Sequence, residues 1–259
     1  MMPNGSVRKV LDREPIRVPA WDELPETVKH ELAAASQGLT DLRPLAADAI
    51  RGAPDRVFAD LTHRLSDAYV QLNPQRENIG RSGAEQEALA WFEMQLAEAD
   101  LSSERAFRGL LERLNARLTG GRSVWRKRDI FLNADKAGTR IRLPAAAHVP
   151  SQLRRLRKVC LDDGLSPGLF RATAALALTV NAHPFTDGNG RVGRILFNHV
   201  LREAGLTSNA YVPLYEMAMR SRGGYEIALR LAEIHGDWVA LVRFMISLVT
   251  LCPGMARAA

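Results

Sequence analysis

The sequence predicts an all-α fold carrying one small β-hairpin. Three observations lead there. Apolar residues recur at helical spacing along most of the 259 residues. That period breaks clearly between Gly121 and Pro144, where two short β-like runs flank a polar turn. Glycines and prolines punctuate the chain between the periodic runs, where helices stop.

Residues 1–20 carry Pro3, Pro15 and Pro19 among scattered charges and read as an irregular arm. Asp22 can cap a helix running to about Ser36, with Gly38 as its stop. A second helix is expected from Thr40 to Ile50, and Gly52-Ala53-Pro54 breaks the chain. Phe58, Leu61, Leu65, Ala68 and Leu72 then share a helical face that ends near Asn73-Pro74. Ser82-Gly83-Ala84-Glu85 has the pattern of a capping box and predicts a helix over 84–97, with Leu89, Trp91, Phe92 and Leu96 as its buried stripe. Ser102 or Ser103 caps the next helix, which reaches Leu118 before Gly120-Gly121. The hairpin runs from Trp125, Ile130 and Leu132 through a turn at 133–138 to Arg140–Leu143. From Ser151 onward the chain is helical again. Ser166 as N-cap and Pro167 in the first turn open one helix, Gly205 closes another, and Gly236-Asp237 precedes the last.

Hydrophobic residues make up 46% of the chain, enough for a core and too many for global disorder. Thirty-five basic residues against 29 acidic ones leave a net charge of +6, spread along the chain. That charge suits nucleotides or acidic partners, but no DNA- or RNA-binding motif accompanies it, so nucleic acid is not the expected partner. The two cysteines, Cys160 and Cys252, have no metal-site spacing. No apolar run is long enough to span a bilayer, and no membrane association is expected. A cytoplasmic location is expected, although an effector exported without a cleaved signal would look the same. A homodimer is one arrangement the sequence leaves open.

The chemistry concentrates in His183-Pro184-Phe185-Thr186-Asp187-Gly188-Asn189-Gly190-Arg191-Val192-Gly193-Arg194. Apolar helical runs lead in and out of it. A Gly-Asn-Gly turn opening a helix offers free backbone N–H groups to a phosphate. Asp187 beside it can hold Mg²⁺ on the phosphates. His183 can take a proton from an attacking hydroxyl. Arg191 and Arg194 lie on one face of a helix start, where cations oppose the dipole unless an anion is bound. Singly, each residue has an ordinary role as a cap, turn or surface group. Together they supply base, metal ligand, phosphate cradle and charge clamp, which is transfer of a phosphorus-containing group to a hydroxyl.

This run resembles the Fic family signature, His-Pro-Phe-x-(Asp/Glu)-Gly-Asn-Gly-Arg-x-x-Arg, at every fixed position. Val124-Trp125-Arg126 with Ile130 and Leu132 is similar to the start of the Fic flap, and Gly236-Asp237-Trp238 to the family's C-terminal core. The resemblance implies a Fic-type helical bundle with its core at 101–252, a helical N-terminal region at 21–100 and a tail at 253–259. It implies a protein adenylyltransferase moving AMP from ATP, with Mg²⁺, onto a Ser, Thr or Tyr hydroxyl of a target protein. His183 would be the base and Asp187 the metal ligand. Gly188, Asn189 and Gly190 would form the anion hole, and Arg191 and Arg194 would bind the β- and γ-phosphates. The hairpin 124–143 would dock the target by strand addition. Asn73–Asn78 is similar to the family's inhibitory pattern, with Asn73 in place of Ser or Thr. Its Glu77, on a helix near 66–78, would pair with Arg194 and act as a brake. Ile234 stands where relatives often place an Asn near adenine, which leaves Tyr225 as the candidate nucleoside contact. Other readings stay open: removal of AMP, another nucleotide donor, or a catalytically silent regulatory or nucleic-acid-binding module.

Overall fold

A computed structural model describes residues 9–40, 42, 47–61, 81–98, 103–121, 123–135, 138–161 and 166–258. The architecture is mainly helical: α1 (Glu26–Leu39), α2 (Ala47–Gly52), α3 (Arg81–Glu98), α4 (Glu104–Thr119), α5 (Val149–Leu161), α6 (Gly168–Ala182), α7 (Asn189–Glu203), α8 (Leu214–Arg220), α9 (Gly224–His235) and α10 (Trp238–Ala258). One apolar core runs from Ile16 to Cys252. Among the described residues no helix is long and apolar enough to cross a membrane.

Helix α6 lies at the centre, with nearly every side chain from Leu169 to Ala182 buried. Its many alanines let α7 and α5 pack close. At Gly193 on α7 an added Cβ would meet Leu176 Cδ1 of α6 at 3.1 Å, so glycine keeps the two helices in contact. The pair α6–α7 therefore forms a rigid support on either side of the motif loop.

Several helix boundaries differ from the sequence reading. Asp22 lies in a one-turn 3-10 helix, Trp21–Glu23, and Pro25 restarts the chain so that α1 begins at Glu26. The second helix starts at Ala47, not Thr40. Pro167 is the N-cap of α6 rather than its first residue, its ψ of 141° lying outside the helical range, and the first residue, Gly168, presses against Ala204, whose Cβ would lie 2.2 Å from an added one. Helix α10 carries through Pro253 to Ala258, so 253–258 is helix and not tail. By contrast Ser103 caps α4 as expected, accepting from Ala106 N–H at 3.1 Å, and Gly120 ends it with φ 67°. The helix expected over 58–73 falls largely outside the described residues; its start, Asp55–Leu61, is a 3-10 helix.

The regular sheet is not the expected hairpin. It has two parallel strands, β1 (Lys9–Asp12) and β2 (Thr139–Arg142), in register Lys9↔Thr139 to Asp12↔Arg142. The segment before β2 touches it through an isolated antiparallel bridge, Phe131↔Arg142, with Leu132 N–H on Ile141 O at 2.8 Å. The regular partner of β2 thus comes from the arm that the sequence marks as irregular. The arm stays ordered beyond β1. Arg13 N–H donates to Arg142 O at 2.9 Å, and Trp238 Nε1 donates to Arg17 O at 2.8 Å.

Candidate active site

Helix α6 ends at His183. His183 adopts a left-handed conformation, φ 45° and ψ 57°, and its N–H still closes on Thr179 O at 3.0 Å. That conformation costs a non-glycine residue roughly 1–2 kcal/mol, so the surroundings must hold it. Much of the hold comes from the flap segment. Arg126 N–H donates to Pro184 O at 2.9 Å and Thr186 N–H donates to Val124 O at 3.0 Å. The rings of Trp125 and Phe185 stack at 4.5 Å. Buried Arg126 donates to Pro144 O at 2.6 Å and to Ala182 O at 3.0 Å, tying the flap to the end of α6.

The side chain of Asn189 braces the motif loop. Its Oδ1 accepts from Phe185 N–H at 2.9 Å and its Nδ2 donates to Phe185 O at 2.8 Å. The side chain is spent on bracing the loop, so only its backbone N–H is left for an anion. Gly188 turns the loop with φ 84°, and Asn115 of α4 fills the space beside it, donating to Asp187 O at 2.8 Å. A Cβ at Gly188 would sit 2.5 Å from Asn115 Nδ2. The first N–H to bond within α7 is that of Val192, on Gly188 O at 3.0 Å. The N–H groups of Asn189, Gly190 and Arg191 precede it and have no acceptor within the helix, which is the arrangement an anion requires.

Asp187 is exposed, with Oδ1 accepting from Gly188 N–H at 2.6 Å and Oδ2 at 3.1 Å from Arg191. Among the described residues no cluster of three or more His, Cys, Asp or Glu could hold a metal alone. A lone exposed carboxylate beside an anion site fits Mg²⁺, which keeps waters and takes phosphate oxygens as its other ligands. Arg191 also donates to Leu118 O at the end of α4. It lines a cleft of about 480 Å³ together with Ala84, Glu85, Ala88, Arg117 and Leu118.

Arg194 is buried and already paired. Its Nε lies 3.0 Å and its terminal nitrogen 2.5 Å from the carboxylate of Glu85 on α3. Tyr211 O–H donates to the same carboxylate at 2.6 Å, and the guanidinium lies 5.0 Å from the ring centre of Tyr215. Burial lowers the guanidinium pKa, but the charge and hydrogen bonds of Glu85 outweigh that and hold it above its ordinary value. Further along α3, Glu93 takes Arg202 of α7 at 2.7 Å. Both pairs span 109 residues, so α3 and α7 run parallel in a fixed register.

Glu77, the expected partner of Arg194, lies outside the described residues. Among the described residues the carboxylate on Arg194 is that of Glu85, and the sequence reading missed it. The capping-box pattern suggested that Glu85 folds back on its own helix start. Helix α3 instead begins at Arg81, which carries Glu85 past the first turn and frees it for α7. Tyr211, Tyr215 and Asn115 had no local signal. Tyr225 is half-buried against Phe244, with ring centres 6.0 Å apart, and its hydroxyl pKa is raised by burial against the opposing charge of Arg194.

The imidazole of His183 is strongly perturbed. Burial pulls its pKa down to about 4, opposed by the Val180 carbonyl and reinforced by Arg13, Arg126 and Arg230. Nδ1 lies 3.3 Å from Val180 O. A proton on Nδ1 bonds that carbonyl and leaves Nε2 as the free acceptor.

Residues 101–201 match the model of the Fic/DOC family. A probable protein adenylyltransferase of Aquifex aeolicus is 53% identical over 51 residues, which is 20% of this chain and 13% of that relative, so only a small part of its length is matched. Three solved structures share the fold. Fic-1 (aa134 - 508) of C. elegans superposes with a TM-score of 0.56 at 19% identity, covering 90% of this chain and 72% of that one. A Fic family protein from Desulfovibrio desulfuricans G20 gives 0.55 at 19% identity over 95% and 77% of the two chains. A Fic domain containing signaling protein from Bacteroides thetaiotaomicron gives 0.54 at 15% identity over 90% and 97%. With its complete motif on this loop and helix, the segment 101–201 is a Fic/DOC family domain.

Proposed function

We propose that this chain is a Mg²⁺-dependent protein adenylyltransferase held inactive by Glu85. One observation carries the reading: an imidazole, its Nδ1 against the Val180 carbonyl, stands at one end of the loop whose other end is an open helix N-terminus flanked by two guanidinium groups. His183 Nε2 takes the proton of a target Ser, Thr or Tyr hydroxyl. The oxygen attacks the α-phosphorus of ATP, the bond to the bridging oxygen breaks, and pyrophosphate leaves. The free N–H groups of α7 receive the developing negative charge. Asp187 would hold Mg²⁺, which when bound neutralises phosphate charge. Arg191 orients the phosphate chain, and Arg194 would clamp its far end once Glu85 withdraws.

The target strand would lie along 124–143, where Val124 is 49% and Phe131 38% exposed. Because β1 already covers one edge of β2, strand addition is left to the other edges of this small sheet.

ATP labelled in its α-phosphate tests the proposal. With Mg²⁺, E85G should label itself or an added protein strongly, wild type weakly and E85G/H183A not at all. A parallel E77G variant compares the two carboxylates as brakes. A panel of UTP, GTP and phosphocholine donors covers the neighbouring reading, and release of AMP from a modified target covers the reverse reaction. Failure of E85G to label anything with any donor sinks the transferase.

A further inference from the structure

Against Asn181, at the end of α6, lies a buried charge cluster outside the motif. Arg13, directly after β1, has a fully buried side chain that pairs with Glu233 of α9, itself fully buried. The other Glu233 oxygen takes Arg230 of the same helix. Asn181, two residues before His183, ties the arm to the end of α6. Its Oδ1 accepts from Ile16 N–H at 3.0 Å, while its Nδ2 donates to Glu14 O at 3.3 Å and lies 3.4 Å from Glu233. The arm therefore meets the helix end that carries the base through both backbone and charge.

Burial is the largest cause of the lowered imidazole pKa, and the charges that add to it are those of Arg13 from the arm, Arg126 from the flap segment and Arg230 from α9. Glu233 pairs with two of these three. Burying more guanidinium than carboxylate is costly. Among the described residues Arg13 has no hydrogen-bond acceptor beyond its ion pair. Arg126 is already spent on carbonyls. Cations close by oppose protonation of an imidazole.

We propose that Arg13 is a positioning residue for His183: with Arg230 it forms a cationic floor, trimmed by Glu233, that holds the imidazole as an uncharged proton acceptor while the arm fixes the end of α6. The proposal rests on the reading of His183 as the base. It makes the first described segment of the chain part of an active site whose motif lies about 170 residues further on.

Histidine-labelled protein, titrated by NMR with H183Q to assign the signal, tests it without any turnover. R13M and R230M each remove one cation and should raise the His183 midpoint, R13M more than R230M. R13K should stay near wild type. R13M/E233Q removes one charge of each sign and should return toward wild type, whereas a purely structural lesion would add to the first. If R13M does not fold, R230M makes the same charge change from α9. An unmoved midpoint in folded R13M or R230M, or a double variant shifted further than R13M, overturns the proposal. Label transfer in the E85G background separates the two ideas. A silent assay with the predicted NMR shifts removes only the base reading. Active transfer without shifts removes only the role of Arg13.

Discussion

Replacing Glu85 by alanine removes one carboxylate from a buried network and leaves a cation without its partner. Arg194 then keeps the face of Tyr215 at 5.0 Å, and Tyr211 loses its acceptor. Stranding one half of a buried pair costs about 3–5 kcal/mol. The adjacent cleft admits water, so the lower figure is the better one. For a chain of this size about 3 kcal/mol lowers Tm by roughly 6–12 °C. The same quantity, seen from the nucleotide, is the cost of displacing Glu85 from Arg194, and about 3 kcal/mol is roughly a hundredfold in affinity. E85A should therefore melt earlier than wild type without nucleotide and bind MgATP about a hundredfold more tightly. Its Tm should recover part of the loss as ATP is added. Differential scanning calorimetry with and without MgATP, and isothermal titration with a non-transferable ATP analogue, give both numbers. The reasoning fails if E85A melts with wild type and shows unchanged nucleotide affinity.

The remaining predictions concern neighbouring parts. N189A leaves the N–H and C=O of Phe185 unpaired, at about 1–3 kcal/mol for each buried group; urea unfolding should show the loss, and an unchanged midpoint would remove its bracing role. G224A places a Cβ 1.9 Å from Leu61 O, so α9 must back away from the 55–61 turn; the expected cost is about 2–3 kcal/mol by urea unfolding, and a neutral result would contradict the close approach. His183 gives a pH signature. Its folded pKa, about 4, lies below the unfolded value near 6.5, so the unfolded chain binds more protons between them. Its contribution is full above pH 6.5 and fades as pH falls toward 4, by about 2 kcal/mol after allowance for the ring's partial exposure. Wild type and H183Q should therefore differ in the slope of stability against pH in that window and nowhere above it.

The motif could be read because its parts are consecutive. A loop between two apolar helices fixes where His183, Asp187 and the glycines point, and α6 and α7 are periodic enough to be placed from sequence alone. The pairing partners were hidden for the opposite reason. Glu85 meets Arg194 across 109 residues, and its neighbours Ser82 and Gly83 suggest a purely local role. Four residues of β1 flanked by prolines carry no strand signal, and only the edge of β2, 130 residues later, makes them one. The spacing of Asn189 is that of a phosphate cradle, yet its side chain serves the loop. Sequence shows that such an amide is there, and geometry decides which group it satisfies.

The reach of the N-terminal arm also has a consequence for synthesis. Arg17 and Trp238 are hydrogen-bonded across 221 residues, and Arg13 waits for Glu233. At about 5–20 residues per second, the first strand leaves the ribosome on the order of ten seconds or more before its last partner. The motif, made in between, can close its own loop but cannot settle the end of α6 that carries His183. A nascent chain that stalls before α9 therefore carries every motif residue without the contacts of Arg13 and Arg17 that brace the end of α6.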